Sequence, residues 1–266
     1  MSDTQTPAGA HGSEDEARLE ASRMPLGQHL EELRRCLIRS FIVFVVLFVV
    51  GMIFYNELIN FVLLPYEWAR ARIVDAGDPD PGELVFLGPA EGFLFAMKVA
   101  GTLALMGGSP LFLRELWGFV GAGLLERERK AIFKAFPLAV GLLLLGLSFG
   151  FLLMLPLAYP ILLTFVEQAR PSITLTEYFS SLRTLTLLMG FVFELPVLMW
   201  LAVRAGIVRY ESLATSRKVA VVVMLIFAAL MTPPDVVTQM LVVLPMVLLY
   251  EVGLMLARKA EAARGG

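Results

Sequence analysis

The chain has 266 residues, of which 58% are hydrophobic and 17% are charged, and its mean hydropathy is +0.75. A soluble domain of ordinary composition is nearer half apolar and a quarter charged, so this composition excludes one and indicates that lipid solvates much of the surface. The single cysteine, Cys36, cannot form an internal disulfide. The net charge of −2 indicates no class of partner, because the distribution of charge matters more than its sum.

Residues 1–23 are polar and include an acidic run, so we predict a disordered cytoplasmic tail. The membrane domain is predicted to cover residues 24–258, with a second cytoplasmic tail at residues 259–266. A helix needs about 20 predominantly apolar residues to cross the hydrocarbon core. The segments that satisfy this requirement are residues 36–55, 92–113, 132–155 and 182–203.

The last apolar region, residues 219–256, is too long for one membrane helix. The sequence TPPD at residues 232–235 divides it, because neither proline donates a backbone hydrogen bond and each restricts the residue before it. We predict two short helices, at residues 219–231 and 236–256, the second interrupted by Pro245. The first would be about 20 Å long at 1.5 Å per residue. Because that is less than the hydrocarbon thickness, we predict a locally thinned bilayer beside the hairpin.

Six spans place both termini on one side of the membrane. Lys and Arg concentrate in the tails and loops of that side, whereas the opposite loops hold Arg70, Arg72 and Arg170 beside several acids. Since cytoplasmic loops carry the excess of Lys and Arg, both termini are predicted to be cytoplasmic. The opposite side is predicted to hold two long loops, residues 57–90 and 156–180, whose prolines suggest rigid lids.

Glu194 lies in the sequence FELP of residues 193–196, within the fourth predicted span. Even lenient insertion scales assign an acidic side chain at this depth a cost of about 3 kcal/mol. Pro196 is expected to kink the helix and to free a carbonyl near Val192. Glu194 is therefore predicted to face a polar cavity or a partner, and a structural carboxyl bonded to a neighbouring helix is the alternative.

Acids alternate with bases at two places on the predicted cytoplasmic side. The sequence HLEELRR at residues 29–35 precedes the first span, and ERERK at residues 126–130 begins the third. Such alternation is usually a solvated helix end with weak ion pairs. The carboxylates of Glu32 and Glu128 could instead bind two guanidinium groups, because the planar fork of arginine fits a carboxylate.

Three polar residues of the last helix have structural interpretations. Asp235 is predicted to cap the helix N-terminus, and Gln239 follows one turn later on the same face. Glu251 is predicted to pair with Arg258 or Lys259.

Trp117 and Phe119 belong to a glycine-rich aromatic segment that is typical of an interfacial anchor. The only histidines are His11 and His29, and no cluster in the sequence resembles a metal site, a nucleophile triad or a phosphate loop. The sequence therefore predicts no enzymatic activity, no metal and no cofactor.

Six short motifs follow one another along the chain: HLEELR at residues 29–34, SP at 109–110, WGF at 117–119, ER at 128–129, FELP at 193–196 and TPPD at 232–235. In this order they resemble the TatC family, the membrane receptor subunit of the twin-arginine protein translocase. The resemblance covers about residues 24 to 258, and the ordered set is more specific than any one motif.

This resemblance implies an all-α integral membrane protein with six transmembrane helices, cytoplasmic termini and a concave, cup-like bundle whose last two helices are short. It implies a protein of the cytoplasmic (inner) membrane that binds the twin-arginine signal peptides of folded precursors. The implied partners are TatA- and TatB-type single-span proteins, other copies of the chain and the lipid bilayer, and no nucleic acid is expected. Export would draw on the proton gradient, which supplies about 2.3 kcal/mol per charge per 100 mV.

The resemblance, together with the charged and polar positions described above, gives the predicted site residues. The signal-peptide surface would comprise Glu32, Arg34, Glu128, Phe119 and His29. Further positions are Glu194 and Gln239 for partner binding, and Pro65, Pro110 and Asp235 in structural or functional loops. The alternative function is a secondary transporter with Glu194 as proton or substrate site, which the lack of a visible internal repeat disfavours.

Overall fold

A computed structural model of the chain describes residues 26–122, 126–164, 172–232 and 235–262. Within these ranges the chain forms ten α-helices and one π-helical turn, Gly150–Met154, between α4 and α5. The helices are α1 (Leu26–Ile53), α2 (Tyr55–Asp75), α3 (Glu91–Ala122), α4 (Glu126–Phe149), α5 (Leu155–Thr164), α6 (Leu175–Phe193), α7 (Leu195–Arg204), α8 (Tyr210–Thr215), α9 (Arg217–Met231) and α10 (Val236–Ala262). The predicted disordered tail, residues 1–23, lies outside the described residues.

Five helical segments of the described chain are long and apolar enough to cross a membrane. They are Leu30–Ile53, Glu91–Phe119, Phe133–Thr164, Leu175–Arg204 and Val236–Ala262. These segments contain the first four predicted spans almost entirely, together with the last one. The first of them buries only 11% of its apolar window within the protein, so most of α1 is available to lipid.

The final hairpin confirms one predicted length and corrects the other. Helix α9 has 15 residues, so it is about 22 Å long and shorter than an ordinary span. Helix α10 has 27 residues and continues through Pro245, so the prediction of a short, interrupted last helix is wrong. The physical reason is that α10 packs along α7 and α9, and neighbouring helices allow a membrane helix to accommodate a proline.

The predicted outer loop at residues 57–90 is wrong over its first half, because Tyr55–Asp75 forms the 21-residue helix α2. Its buried apolar side chains recur every three or four residues and form one face: Val62, Tyr66, Ala69 and Ile73. Polar residues on the other face keep the segment below the hydropathy of a membrane span. A criterion based on 20 continuous apolar residues therefore misses an amphipathic helix of this kind.

The predicted outer loop at residues 156–180 is also wrong, because α5 extends to Thr164 and α6 begins at Leu175. Pro160 does not end α5, although it removes the amide that would bond the Pro156 carbonyl. That carbonyl accepts a hydrogen bond from Arg72 Nη1 of α2 at 3.4 Å instead. A side chain of α2 therefore stabilises α5 at the proline that was predicted to interrupt it.

The remaining outer segments are joined by backbone and side-chain hydrogen bonds. The Val85 amide donates to the Ile173 carbonyl and the Leu175 amide donates to the Val85 carbonyl, both at 3.1 Å. The Glu91 carboxylate accepts from the Leu87 amide at 2.6 Å and from the Thr176 hydroxyl at 2.5 Å. These bonds attach the segment before α3 to the start of α6.

An ion pair fixes the turn that follows α2. Arg70 donates to both carboxylate oxygens of Asp80, at 2.7 and 2.6 Å, and the Gly82 amide donates to the same carboxylate at 3.0 Å. The Arg70 guanidinium and then the Gly82 amide lower the pKa of Asp80 to about 2. Because the folded-state pKa is depressed, the pair is intact at neutral pH and is lost only as the pH falls through about 2.

Helices α4 and α6 approach each other through glycine. A Cβ on Gly146 would lie 2.5 Å from the Met189 carbonyl oxygen, and a Cβ on Gly150 would lie 2.6 Å from Thr186 Cα. Only hydrogen fits at these two positions, and small residues are the usual means of close helix packing in lipid. At the interface of α7 and α10, Gly253 similarly lies against Pro196, whose Cα would be 3.2 Å from an added Cβ.

Candidate functional site

The first turns of α1 carry two adjacent glutamates that have different surroundings. Glu31 is bracketed by arginines, with Arg34 Nη1 at 3.7 Å and Arg35 Nε at 3.6 Å from its carboxylate oxygens. These pairs join residues three and four apart on an exposed helix surface, where each contributes a few tenths of a kcal/mol, about 0.3. Glu31 is therefore already neutralised by its own helix.

Glu32 is the carboxylate of this segment that has no ion-pair partner among the described residues. It is half-buried, and it makes no ion pair with any residue that the structure describes. A half-buried anion without a counter-ion attracts a cation more strongly than an exposed one, because water screens it less. The pairing of Glu31 within its own helix and the lack of an ion pair at Glu32 among the described residues distinguish these two adjacent residues.

Glu115 holds the start of α1 against the end of α3. Cys36 Sγ donates to the Glu115 carbonyl at 3.5 Å, and Arg39 Nη1 contacts the Glu115 carboxylate at 3.4 Å. The two helices are antiparallel, since Gly51 contacts Ala100 at their other ends. Glu32 precedes Cys36 by one turn and Phe119 follows Glu115 by one turn, so both lie at the same level of the bundle.

Sequence reasoning missed Glu115 and Arg39 as parts of this region. The pair joins residues 76 positions apart, and nothing in either local sequence indicates the other. The one usable signal was an unassigned acid, Glu115, two residues before the motif WGF.

Trp117 is not the interfacial anchor that the sequence predicts. Its side chain is buried and packs edge-to-face on Phe136 of α4, with ring centroids 5.9 Å apart. Ala139 and Val197 complete this small core, which joins α3, α4 and α7. Trp117 therefore fixes the end of α3 on which Phe119 stands.

For two residues of the predicted signal-peptide surface, the structure describes the backbone but not the side chain. The backbone of His29 lies in α1 and that of Glu128 in α4, but both side chains lie outside the described part of the structure. Arg34 is described, and its guanidinium is directed to Glu31.

Glu194 lies at a break between two helices. Helix α6 ends at Phe193 and α7 begins at Leu195, and the Glu194 amide donates to the Phe191 carbonyl at 3.1 Å in a tightened turn. The predicted disruption before Pro196 is therefore confirmed. The Glu194 side chain is 7% exposed, and its Oε1 has no hydrogen-bond partner in the described chain. The alternative of a carboxyl fully bonded to a neighbouring helix is not what the structure contains.

Gln239 does not join Glu194. Its Nε2 donates to the Leu225 carbonyl of α9 at 3.1 Å, which fastens the final hairpin. Pro196, two residues after Glu194, packs on Gly253 of α10. Gly253 and Gln239 are separated by about 20 Å along that helix at 1.5 Å per residue. Glu194 and Gln239, which were predicted to bind the same partners, therefore lie at different levels along the helix bundle.

Asp235 is a helix cap, as the sequence predicts. Its Oδ1 accepts a hydrogen bond from the Thr238 amide at 2.6 Å, which satisfies one of the free amides at the start of α10. Glu251 differs from the prediction, because its carboxylate pairs with Arg217 of α9 at 3.2 Å. Arg258 is seven residues, or about two turns, farther along α10.

Pro65 and Pro110 both lie inside helices rather than in loops. Pro65 is buried in α2. Pro110 removes the amide that would bond the Met106 carbonyl, and the Ser109 hydroxyl donates to that carbonyl at 2.6 Å. The adjacent serine therefore repairs the hydrogen bond that the proline deletes.

We predict that Ser109→Ala lowers the free energy of unfolding by about 1 kcal/mol, since a lost intramolecular hydrogen bond has that typical value. The same substitution in a Pro110→Ala background should cost less, because the residue 110 amide can then bond Met106. Thermal denaturation in detergent of the four proteins of this cycle measures the coupling. Equal losses in both backgrounds would show that the serine does not replace the missing amide.

The fold and these sites define a class: a multi-pass helical membrane protein with one acidic residue that makes no ion pair within the described chain and another buried at a helix break. The family model described as "Sec-independent protein translocase protein (TatC)" matches residues 28–245. Among similar proteins, the TatC of Carboxydothermus hydrogenoformans is 33% identical over 242 residues, which cover 90% of this chain and 95% of that protein. The TatC of Desulforapulum autotrophicum is 34% identical, with 90% and 86% covered.

A crystal structure of the twin-arginine translocase receptor TatC superposes with a TM-score of 0.73 at 29% identity, covering 87% of this chain and 99% of that one. The chain belongs to the TatC family and is a component of the twin-arginine protein translocase. This is a family of transport proteins, and the alternative of a secondary transporter receives no support from these relatives.

Proposed function

We propose that the chain is the signal-peptide receptor and assembly platform of the translocase, and that Glu32 binds a guanidinium of the twin-arginine motif. The observation that carries the proposal is the half-buried, unpaired state of Glu32 beside a neighbour, Glu31, that is already paired. Arginine is the natural ligand, because two parallel N–H donors match the two oxygens of a carboxylate. Glu128, at the start of α4, is proposed as the second carboxylate.

The proposal includes a topology. Six spans, with α9 as the short fifth one, place both termini in the cytoplasm of a cell with an inner membrane. Support comes from the Lys and Arg residues at the ends of α7 and α10 and from the acidic turn after α2 at the opposite end. The peptide surface then faces the compartment in which precursors fold. In this topology the short α9 lies beside a thinned bilayer, on one flank of a concave, cup-like bundle.

Residues 24–258 are proposed as the membrane domain, flanked by two cytoplasmic tails. Glu194 is proposed to bind the single-span partners of TatA and TatB type, with further copies of the chain completing the assembly. A buried carboxyl oxygen that lacks a partner among the described residues is a group that an incoming polar side chain can satisfy. Export by this assembly would use the proton gradient, and the chain would bind its precursors without a cofactor of its own.

The test compares two variants that remove the same charge from adjacent residues. Glu32→Gln should weaken binding of a twin-arginine signal peptide about tenfold, which corresponds to one charge-assisted hydrogen bond. Glu31→Gln should leave it within about twofold, because that carboxylate already serves Arg34 and Arg35. Photo-crosslinking of a labelled peptide to inner-membrane vesicles, titrated with peptide, gives both affinities.

A second comparison uses a peptide with two lysines in place of the two arginines. Wild-type protein should bind it about tenfold more weakly, since lysine cannot form the bidentate contact. Glu32→Gln should discriminate less between the two peptides. If Glu31→Gln and Glu32→Gln are equally impaired, or if both peptides bind equally to wild type, the proposed docking at Glu32 is wrong.

A further inference from the structure

A groove of about 380 Å³ opens between α4, α7 and α10 at the end of the bundle that is rich in Lys and Arg. Each helix contributes one cation to its lining: Lys134 from α4, Arg204 from α7 and Lys259 from α10. The three residues are far apart in sequence and meet only because these helices pack side by side. The groove uses none of the residues proposed above for peptide binding.

The three cations have no acidic counterpart in the part of the chain that the structure describes. No Asp or Glu among the described residues lines the groove, and none of the three cations makes an ion pair within the described ranges. Elsewhere on the molecule arginines do find carboxylates, as Arg217 does with Glu251 at 3.2 Å. Three like charges around one concavity raise its potential and favour an anionic occupant.

The walls of the groove are apolar. Leu138, Val197 and Leu256 line it together with Trp200, whose ring is part of the same concavity. Tryptophan is enriched where membrane helices reach the headgroup layer, because its ring is apolar while its indole N–H is polar. A small inorganic anion would contact the cations and leave these walls unused. An occupant that has both an anionic group and hydrocarbon would contact the cations and the walls together.

We propose that this groove binds one anionic phospholipid, with its phosphate among Lys134, Arg204 and Lys259 and the first part of its acyl chains against Trp200 and Leu138. Basic pockets between membrane helices are a recognised means of holding anionic headgroups. The lipid would also connect α4, α7 and α10 at a place where their packing leaves space.

Trp200 makes the occupant measurable. In protein carrying Trp68→Phe and Trp117→Phe, Trp200 is the remaining tryptophan, and lipids with brominated acyl chains quench it on contact. Quenching by brominated phosphatidylglycerol should exceed that by brominated phosphatidylcholine in mixed vesicles, with a relative affinity of about fivefold or more. Native mass spectrometry of the otherwise unaltered protein should retain phosphatidylglycerol in preference to phosphatidylcholine, which checks the result without the Trp117 substitution.

Two triple variants separate the groove from general surface charge. Lys134→Gln, Arg204→Gln and Lys259→Gln together should abolish the lipid preference in both measurements. Arg209→Gln, Lys218→Gln and Arg258→Gln remove the same charge from exposed residues that do not line the groove, and should preserve it. A variant with Lys134→Arg and Lys259→Arg should also preserve it, which separates loss of charge from misfolding.

Three results would overturn the proposal. Equal loss of preference in the two neutralised triple variants would mean that only diffuse surface charge attracts the lipid. Displacement of the brominated lipid by inorganic phosphate at equal concentration would identify a phosphate site instead. Strong protection of Trp200 from every lipid, together with a dimer in native mass spectrometry, would mean that another copy of the chain covers the groove.

Discussion

Gly146→Ala is expected to destabilise the protein severely, although it adds a single methyl group. The new Cβ would lie 2.5 Å from the Met189 carbonyl oxygen and 2.8 Å from Phe193 Cβ, so α4 and α6 must separate. Overpacking of this kind costs about 1–3 kcal/mol, and here the obstructing atom belongs to backbone that cannot rotate away. The melting temperature in detergent should fall by about 2–12 °C, at about 2–4 °C for each kcal/mol in a chain of this size.

The same helix offers a matched control. Gly141 has nothing within 4 Å of its added Cβ, so Gly141→Ala should not lower the melting temperature. Gly150→Ala should resemble Gly146→Ala, because its Cβ would meet Thr186 Cα at 2.6 Å and the Leu185 carbonyl oxygen at 2.9 Å. If the three alanine variants have indistinguishable melting curves, the helices can move apart at little cost and close packing at these glycines does not limit stability.

Glu194→Met is expected to raise the stability of the isolated protein while abolishing export. The buried carboxyl has one oxygen without a partner, and a polar group in that state opposes folding. Methionine has a similar shape without the polar oxygens, and such replacements are often neutral or stabilising. A gain of about 1 kcal/mol would raise the melting temperature by about 2–4 °C. Export of a twin-arginine precursor into inverted membrane vesicles should fail, because the proposed partners lose their polar contact.

The matched control is Thr186→Val, which removes another buried oxygen without a partner, eight residues earlier on α6. It should also preserve or raise stability, but export should continue, since no partner is proposed to bind there. Co-purification of TatA- and TatB-type proteins with each variant gives a direct readout of assembly. A lower melting temperature for Glu194→Met would identify a carboxyl that stabilises the fold. Normal export by that variant would exclude the proposed partner contact.

The properties read correctly from the sequence depend on local chemistry. Long apolar segments require lipid wherever they fold, so the first four spans were identifiable from length and hydropathy alone. Asp235 caps α10 because its side chain reaches an amide three residues away. The C-terminal end of α9 follows from the two prolines that come after Thr232 in the sequence, since proline cannot continue the preceding helix.

The incorrect predictions of helices and loops also share a cause, which is packing between helices. Helix α2, the continuation of α5 past Pro160 and the length of α10 all depend on contacts with other helices. Arg72 reaches the Pro156 carbonyl from 84 positions away, and the sequence near Pro160 contains no sign of that donor. The aromatic, glycine-rich segment of Trp117 predicts a position at the membrane surface, but Trp117 is buried and packs on Phe136.

The candidate sites divide in the same way. The sequence by itself determined that acids stand at one membrane surface and within one span, because charge in or near an apolar segment is visible without coordinates. Only the tertiary structure decided that Glu32 makes no ion pair within the described chain, that Gln239 is remote from Glu194, and that Lys134, Arg204 and Lys259 share a groove. Hydropathy, capping and ion pairs within one helix act over a few residues of chain, whereas burial and proximity between helices depend on which helices meet.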